Sequence, residues 1–133
     1  MGLFRAIGRL VVLTEDQEQS LRFYRDVLDF EVRHDETVED LRLLHVGVPG
    51  QPETGLWLLP PQTSEEKALV GRQTGDEPLL VLYTDDLDTV VERLQDEDIE
   101  LWAQRDEAAE RSLHLEDEVG NVIVVVERPR DGG

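Results

Sequence analysis

Only three side chains in this 133-residue chain have an ordinary pKa near neutrality, those of His34, His45 and His114. His114 alternates with Leu113 and Leu115 and shares strand parity with Ser112 and Glu116. If the two leucines pack against a helix, His114 faces a cavity. A histidine there can move a proton at neutral pH. With a second histidine and a carboxylate, as in the set His45, His114 and Glu116, it can hold a divalent metal. The plainer reading is a pair of strand histidines hydrogen-bonded to their neighbours. His34 lies in the polar run Arg33-His34-Asp35-Glu36 and is expected in a solvent-exposed turn.

Trp57, Trp102 and Tyr83 are large aromatics outside the first predicted helix. Trp57 has the strand parity of a pocket face, which suits either stacking on a planar ligand or core filling. Arg9, if it points inward, is a buried charge that needs a carboxylate or an anionic ligand. A structural salt bridge to one of the 31 acidic residues is the expected outcome. No nucleophile site emerges. There is no cysteine, and Ser112 cannot form a triad with His114, because side chains two apart on a strand are separated by ~6–7 Å. Asp85-Asp86 reads as a helix cap rather than an acid–base pair. Val48-Pro49-Gly50 and Thr74-Gly75-Asp76 read as turns, not as phosphate-binding loops.

The elements that must position these residues follow from periodicity. Ala6 to Thr14 is short and apolar and predicts a strand. Asp16 followed by Gln19 has the pattern of a capping box, and Leu21, Tyr24 and Leu28 recur at helical spacing. Phe30 to Arg33, Leu41 to Val48 and Leu56 to Leu59 predict three strands. Pro60 to Pro78 is a connector with a short helical turn around Glu65 to Val70. The order then repeats: strand Leu79 to Thr84, a helix carrying Leu87, Val90, Val91 and Leu94, and strands Ile99 to Trp102, Ser112 to Leu115 and Val122 to Val126. The copies align residue by residue. Thr14-Glu15-Asp16 matches Thr84-Asp85-Asp86 at an offset of 70, and Arg42, Leu44 and His45 match Arg111, Leu113 and His114 at an offset of 69. The fold class is therefore α+β, two tandem βαβββ units in a single domain over 1–133. Unit one covers about 6–60, the linker about 61–77 and unit two about 78–128. One helix covers only one face of a four-stranded sheet, so the second copy is expected to supply the partner and enclose a concave cleft suited to a small ligand.

Composition narrows the function classes. Formal net charge is −18, which disfavours a phosphate-tracking nucleic-acid binder. No run reaches the ~18 apolar residues of a membrane span, and the N-terminus lacks the pattern of a secretory signal, so a cytoplasmic protein with no membrane partner is expected. Lys67 is the one lysine among 13 basic residues. Strong acidity with almost no lysine reads as adaptation to a high-salt cytoplasm, where charges are screened within ~3 Å at 1 M salt.

Two segments carry a resemblance. Ser20-Leu21-Arg22-Phe23-Tyr24-Arg25-Asp26-Val27-Leu28-Asp29-Phe30 resembles the S-x-x-F-Y-x-x-x-L-G-F signature of the vicinal-oxygen-chelate superfamily, with Asp29 in place of the usual glycine. Leu115-Glu116-Asp117-Glu118-Val119-Gly120-Asn121 is similar to that family's F-x-D-P-x-G-N turn, with Glu118 in place of proline. The superfamily includes glyoxalase I, extradiol dioxygenases, fosfomycin-resistance enzymes and bleomycin-binding proteins. Its catalytic members hold a divalent metal with His, Gln or Glu on the first and fourth strands of each unit. Carried onto this chain, those positions fall on Arg9, Leu79 and Val124, and near Leu59 with Trp57 two residues away. None of the four uncharged residues can ligate through its side chain, and Arg9 repels a cation. The resemblance thus implies a metal-free, bleomycin-resistance-like protein that sequesters a small molecule as a homodimer. Arg9, His45, Trp57, Trp102 and His114 are the candidate cleft residues. The alternatives are a metal-dependent glyoxalase- or dioxygenase-type enzyme using His45, His114 and Glu116, and a non-catalytic accessory domain.

Overall fold

The computed structural model describes residues 2–107 and 110–128. Two compact units meet in sequence between Gln73 and Thr74. The first contains β1 (Arg9–Leu13), α1 (Gln17–Arg22) with a π-helical continuation over Phe23–Val27, β2 (Glu31–Val38), β3 (Leu41–Gly47), β4 (Gly55–Leu59) and α2 (Ser64–Leu69). The second contains β5 (Leu80–Thr84), α3 (Leu87–Asp96), β6 (Trp102–Glu107), β7 (Glu110–Glu116) and β8 (Val122–Glu127). Each unit is one four-stranded mixed sheet, ordered β1-β4-β3-β2 in the first and β5-β8-β7-β6 in the second. The first and last strands of each unit run parallel, and the other pairs are antiparallel. The repeated βαβββ order predicted from the residue offsets is the observed architecture.

Strand alternation decides which face each unit buries. In unit one, Val12, Leu44, Val46, Leu56 and Leu58 are buried together with Leu21, Phe23, Tyr24 and Phe30 of the helical segment and its exit. Tyr24 stacks against Phe30 with ring centroids 5.4 Å apart. In unit two, Leu113, Leu115, Ile123 and Val125 are buried with Leu87 and Leu94 of α3. The signature Phe23-Tyr24 pair is therefore core material, as is Ser20, whose hydroxyl donates to Thr14 Oγ1 at 2.6 Å.

The repeat also places its polar residues. Asp16 and Asp86 cap α1 and α3, accepting from the backbone of Gln19 at 3.0 Å and Thr89 at 3.3 Å. The reciprocal half of the predicted capping box is absent, because the Asp16 N–H is already engaged by Thr14 Oγ1. Arg42 joins Glu18 of α1 to Asp35 of β2. Its counterpart Arg111 joins Asp88 of α3 to Glu127 of β8. In the second signature, Asp117 accepts from the backbone of Val119 and Asn121 and from the Asn121 amide. Gly120 completes that turn at φ 98°.

Strand bounds shift at several places, β1 starting only at Arg9 and β7 already at Glu110, and two shifts are large. β2 runs to Val38, so His34 lies inside a strand opposite His45 rather than in a turn. Its side chain remains exposed and pairs with Glu36 at 3.2 Å. The apolar alternation Ile99-Glu100-Leu101 is not the start of a strand. Asp98 turns left-handed at φ 58°, and the N–H groups of Asp98 and Ile99 return to the carbonyls of Gln95 and Leu94. This is a helix C-terminal motif in which Ile99 is the apolar residue after the cap, so β6 starts only at Trp102. Asp29 occupies the matching position at φ 60°, the conformation for which the family signature carries glycine.

Candidate functional site

The sheet face opposite the helix in unit one can be read strand by strand from its register. Val11 lies beside Trp57, Trp57 beside His45, and His45 beside His34. This single row brings together two of the five predicted cleft residues. Arg9 stands one step along β1, opposite Gly55. Its guanidinium lies over the Trp57 ring, 5.7 Å from the centroid, a distance at which the ring face attracts a cation. Arg9 is exposed, and among the described residues no carboxylate pairs with it. The contact described for Arg9 is thus with an aromatic ring.

His45 is only 7% exposed. Gly55 makes room for it, since a Cβ at that position would overlap the imidazole Nε2 and Cδ2. Burial, and then the positive charges of Arg9 and Arg33 with His34 beside it, hold the His45 pKa below its ordinary value. Arg33 itself is spent on structure. Its guanidinium donates to the carbonyls of Pro52, Thr54, Val48 and Gln51 and pairs with Glu31. His45 Nε2 and Trp57 Nε1 are both sealed from solvent without a hydrogen-bond partner.

Farther along the same face lies a cleft of about 370 Å³ walled by Val11, Leu13, Leu41, Leu59 and Pro60. Gln62, Glu66 and Gln73 provide its polar groups. Of these, the sequence points only to Leu59, as the neighbourhood of a fourth-strand ligand position. The other available signal was parity, since Val11, Leu13 and Leu59 share a face with Arg9 and Trp57. The contribution of α2 and the connector depends on Gln73, whose amide accepts from Leu13 N–H at 2.7 Å and donates to Val11 C=O at 3.0 Å.

Unit two repeats the face with different chemistry. His114 lies beside Trp102 and Val124, and Val124 beside Val81. The Trp102 and His114 rings are 5.9 Å apart, and His114 Nδ1 is sealed without a partner. A second cleft of about 360 Å³ is lined by Ala103, Arg105, Glu110, Ser112 and His114. The register also corrects one sequence equivalence. Val124 corresponds to Trp57, not to Leu59, because each pairs with the residue three before the Thr at the end of its unit's first strand (Val11 or Val81) and with the histidine of its third. The ligand positions implied by the resemblance are then Arg9, Trp57, Leu79 and Val124, a set without one metal-donor side chain. Glu116 shares the His114 face and is exposed at the strand end. Among the described residues, no three His, Asp or Glu side chains are grouped to hold a metal ion.

Two βαβββ units, each with a helix on one sheet face and candidate ligand groups on the other, define the class. Residues 6–125 match the Glyoxalase/Bleomycin resistance protein/Dioxygenase superfamily, and the chain belongs to that family. Among solved structures it is similar to TnmS3, an antibiotic binding protein from Streptomyces sp. CB03234. The identity is 24%, with a TM-score of 0.78 over 96% of this chain and 98% of that one. A glyoxalase/bleomycin resistance protein from the same Streptomyces is 26% identical, with a TM-score of 0.70 over 88% of this chain and 96% of that one. Lactoylglutathione lyase from Agrobacterium tumefaciens shares the fold at 20% identity, with a TM-score of 0.65 over 96% of each chain. No curated protein sequence matches it. No helix among the described residues is long and apolar enough to cross a membrane.

Proposed function

We propose that this protein binds and sequesters a small organic molecule and does so without a metal. The observation that carries the reading is the side-chain chemistry at the four positions where catalytic relatives are expected to hold their metal. Arg9, Trp57, Leu79 and Val124 offer a cation, an indole and two hydrocarbons, none of which coordinates a divalent ion. The same face instead carries an apolar cleft edged by Gln62, Glu66 and Gln73, the mixture expected of an organic-ligand site. The likeness to an antibiotic binding protein supports an antibiotic-like ligand. Self-association into a homodimer belongs to the same reading, since the exposed Leu3, Phe4, Ile7, Val81 and Tyr83 give it apolar surface to cover. A cytoplasmic location also belongs to it, on the strength of the acidic, lysine-poor composition.

The test is a thermal-shift series on chelator-treated protein with two arms. One arm adds zinc, nickel, manganese or ferrous iron, and the other adds bleomycin and a panel of aromatic antibiotics. A ligand in hundredfold excess over its Kd raises stability by about 2.7 kcal/mol. The expected result is a shift with at least one antibiotic and none with any metal. A metal shift that disappears in both His45→Ala and His114→Ala would replace this reading with a rearranged metalloenzyme.

A further inference from the structure

The two copies of the repeat keep their strands in register, yet one patch of side chains differs between them. At an offset of 69, Glu36, Leu41 and Leu43 of unit one correspond to Arg105, Glu110 and Ser112 of unit two. The strand pairing agrees, since Glu36 lies opposite Leu43 and Arg105 opposite Ser112. Leu41 walls the apolar cleft of unit one. Arg105, Glu110 and Ser112, with Ala103 and His114, line the cleft of about 360 Å³ on unit two. Where unit one has two leucines, unit two has a carboxylate and a hydroxyl, with a cation beside them. The second cleft therefore suits a different ligand.

A β-bulge brings that cation into place. Trp102 pairs with His114, and regular pairing would set Gln104 beside Ser112 and turn Arg105 to the helix-covered face. One extra residue sets Arg105 beside Ser112 instead, the re-aiming of a side chain that bulges provide. Ala103 carries the distortion at φ 51°. The other left-handed residues besides glycine, Asp29, Glu39, Asp40 and Asp98, have polar side chains, whereas Ala103 has none to offset its strain.

Ser112 is only 7% exposed. The other buried hydroxyls, those of Thr14 and Ser20, bond to each other, but that of Ser112 has no partner among the described residues. An unspent hydroxyl so nearly buried in a cleft wall points to a group that the cleft receives. Arg105 beside it and Glu110 two residues along form a diagonal pair, a separation that long side chains span. Among the described residues neither is in an ion pair. We infer that this cleft binds a small zwitterion of the amino-acid class. Its carboxylate accepts from the Arg105 guanidinium and the Ser112 hydroxyl, and its ammonium donates to Glu110. The site shares no residue with the apolar cleft of unit one and goes beyond the sequestration proposed above.

Calorimetric titration of the full chain at neutral pH with the protein amino acids tests it. The tightest binder is then compared with two truncated analogues, the acid without its amine and the amine without its carboxylate. At least one amino acid is expected to bind with a Kd of about 1 mM or tighter. Each truncation is expected to weaken it at least about tenfold. Arg105 and Glu110 are exposed, so Arg105→Met and Glu110→Gln leave the core intact. In Glu110→Gln the advantage of the amino acid over the acid analogue should shrink to within about twofold, and in Arg105→Met its advantage over the amine should do the same. Absence of binding by every amino acid, equal affinity for a truncated analogue, or unchanged discrimination in either variant would overturn the inference. None of these outcomes bears on the antibiotic and metal series, which reads the protein's other ligands.

Discussion

His45 shows how much the environment of one residue changes its chemistry. A strand histidine read from sequence alone is a proton carrier near neutral pH. Here it is buried, and burial first, then the charges of Arg9 and Arg33, hold its pKa below the ordinary value. The depressed pKa has a consequence for stability. The unfolded histidine titrates near ~6.5 and the folded one below that. The unfolded state therefore gains the proton first as pH falls, and the stability that His45 contributes above ~6.5 is lost through its folded pKa. Urea midpoints measured at pH values on either side of ~6.5 should drop more steeply in the parent than in His45→Gln. An unchanged slope in the variant would show that the acid sensitivity comes from elsewhere. Two acidic residues illustrate the same dependence on local geometry. Asp29 and Asp98 each take a left-handed backbone at the end of a helical segment, a place where glycine is easier but a short polar side chain is tolerated.

At the level of elements, polar side chains govern how helices and edges attach. Arg42 and Arg111 occupy equivalent places and each reaches an acid in the first turn of its unit's main helix, at 3.0 Å to Glu18 and 2.8 Å to Asp88. The matched pairs explain why arginine recurs at an offset of 69 in the sequence. Gln73 does comparable work at a sheet edge. With one amide it satisfies an N–H and a C=O of β1, the outermost strand of its sheet, as a neighbouring strand would. Gln73→Ala removes both bonds and frees an edge that invites pairing with another chain. It should cost about 1 kcal/mol and raise the tendency to aggregate, as read from denaturant midpoints and light scattering. A midpoint equal to the parent's would mean that solvent replaces the amide without loss.

For the whole molecule the governing quantity is charge. With 31 acidic and 13 basic residues, self-repulsion opposes the compact state, and screening by salt relieves it. Thermal midpoints should therefore rise as KCl is increased from ~0.1 M to ~2 M. A flat series would count against high-salt adaptation and leave the acidity to another role, such as attraction of cationic ligands.

The sequence by itself determined the repeated βαβββ order, the buried sheet faces and the family. Those features rest on strand and helix periodicity and on the near-identical offsets of 69 and 70 between matching residues, all of which are local or arithmetic. Strand parity also gave a face to Trp57 and His114, because alternation fixes a face once one residue is assigned. Other features depended on three-dimensional contacts. Extension of β2 through a charged run, with His34 inside it, is set by pairing with β3, and no propensity of Arg33-His34-Asp35-Glu36 announces it. Ile99 became a helix cap instead of a strand residue because two backbone hydrogen bonds to α3 outweigh its alternation with Leu101. The equivalence of Trp57 with Val124 needed the strand register, since the loops before β4 and β8 differ in length. The cleft formed by Val11, Leu13 and Leu59 needed α2 and Gln73, which lie in the connector, far in sequence from the strand they meet. Arg9 lies over an indole rather than against one of the many acids for the same reason. Which neighbour a charge finds is decided by the fold that surrounds it, not by the composition of the chain.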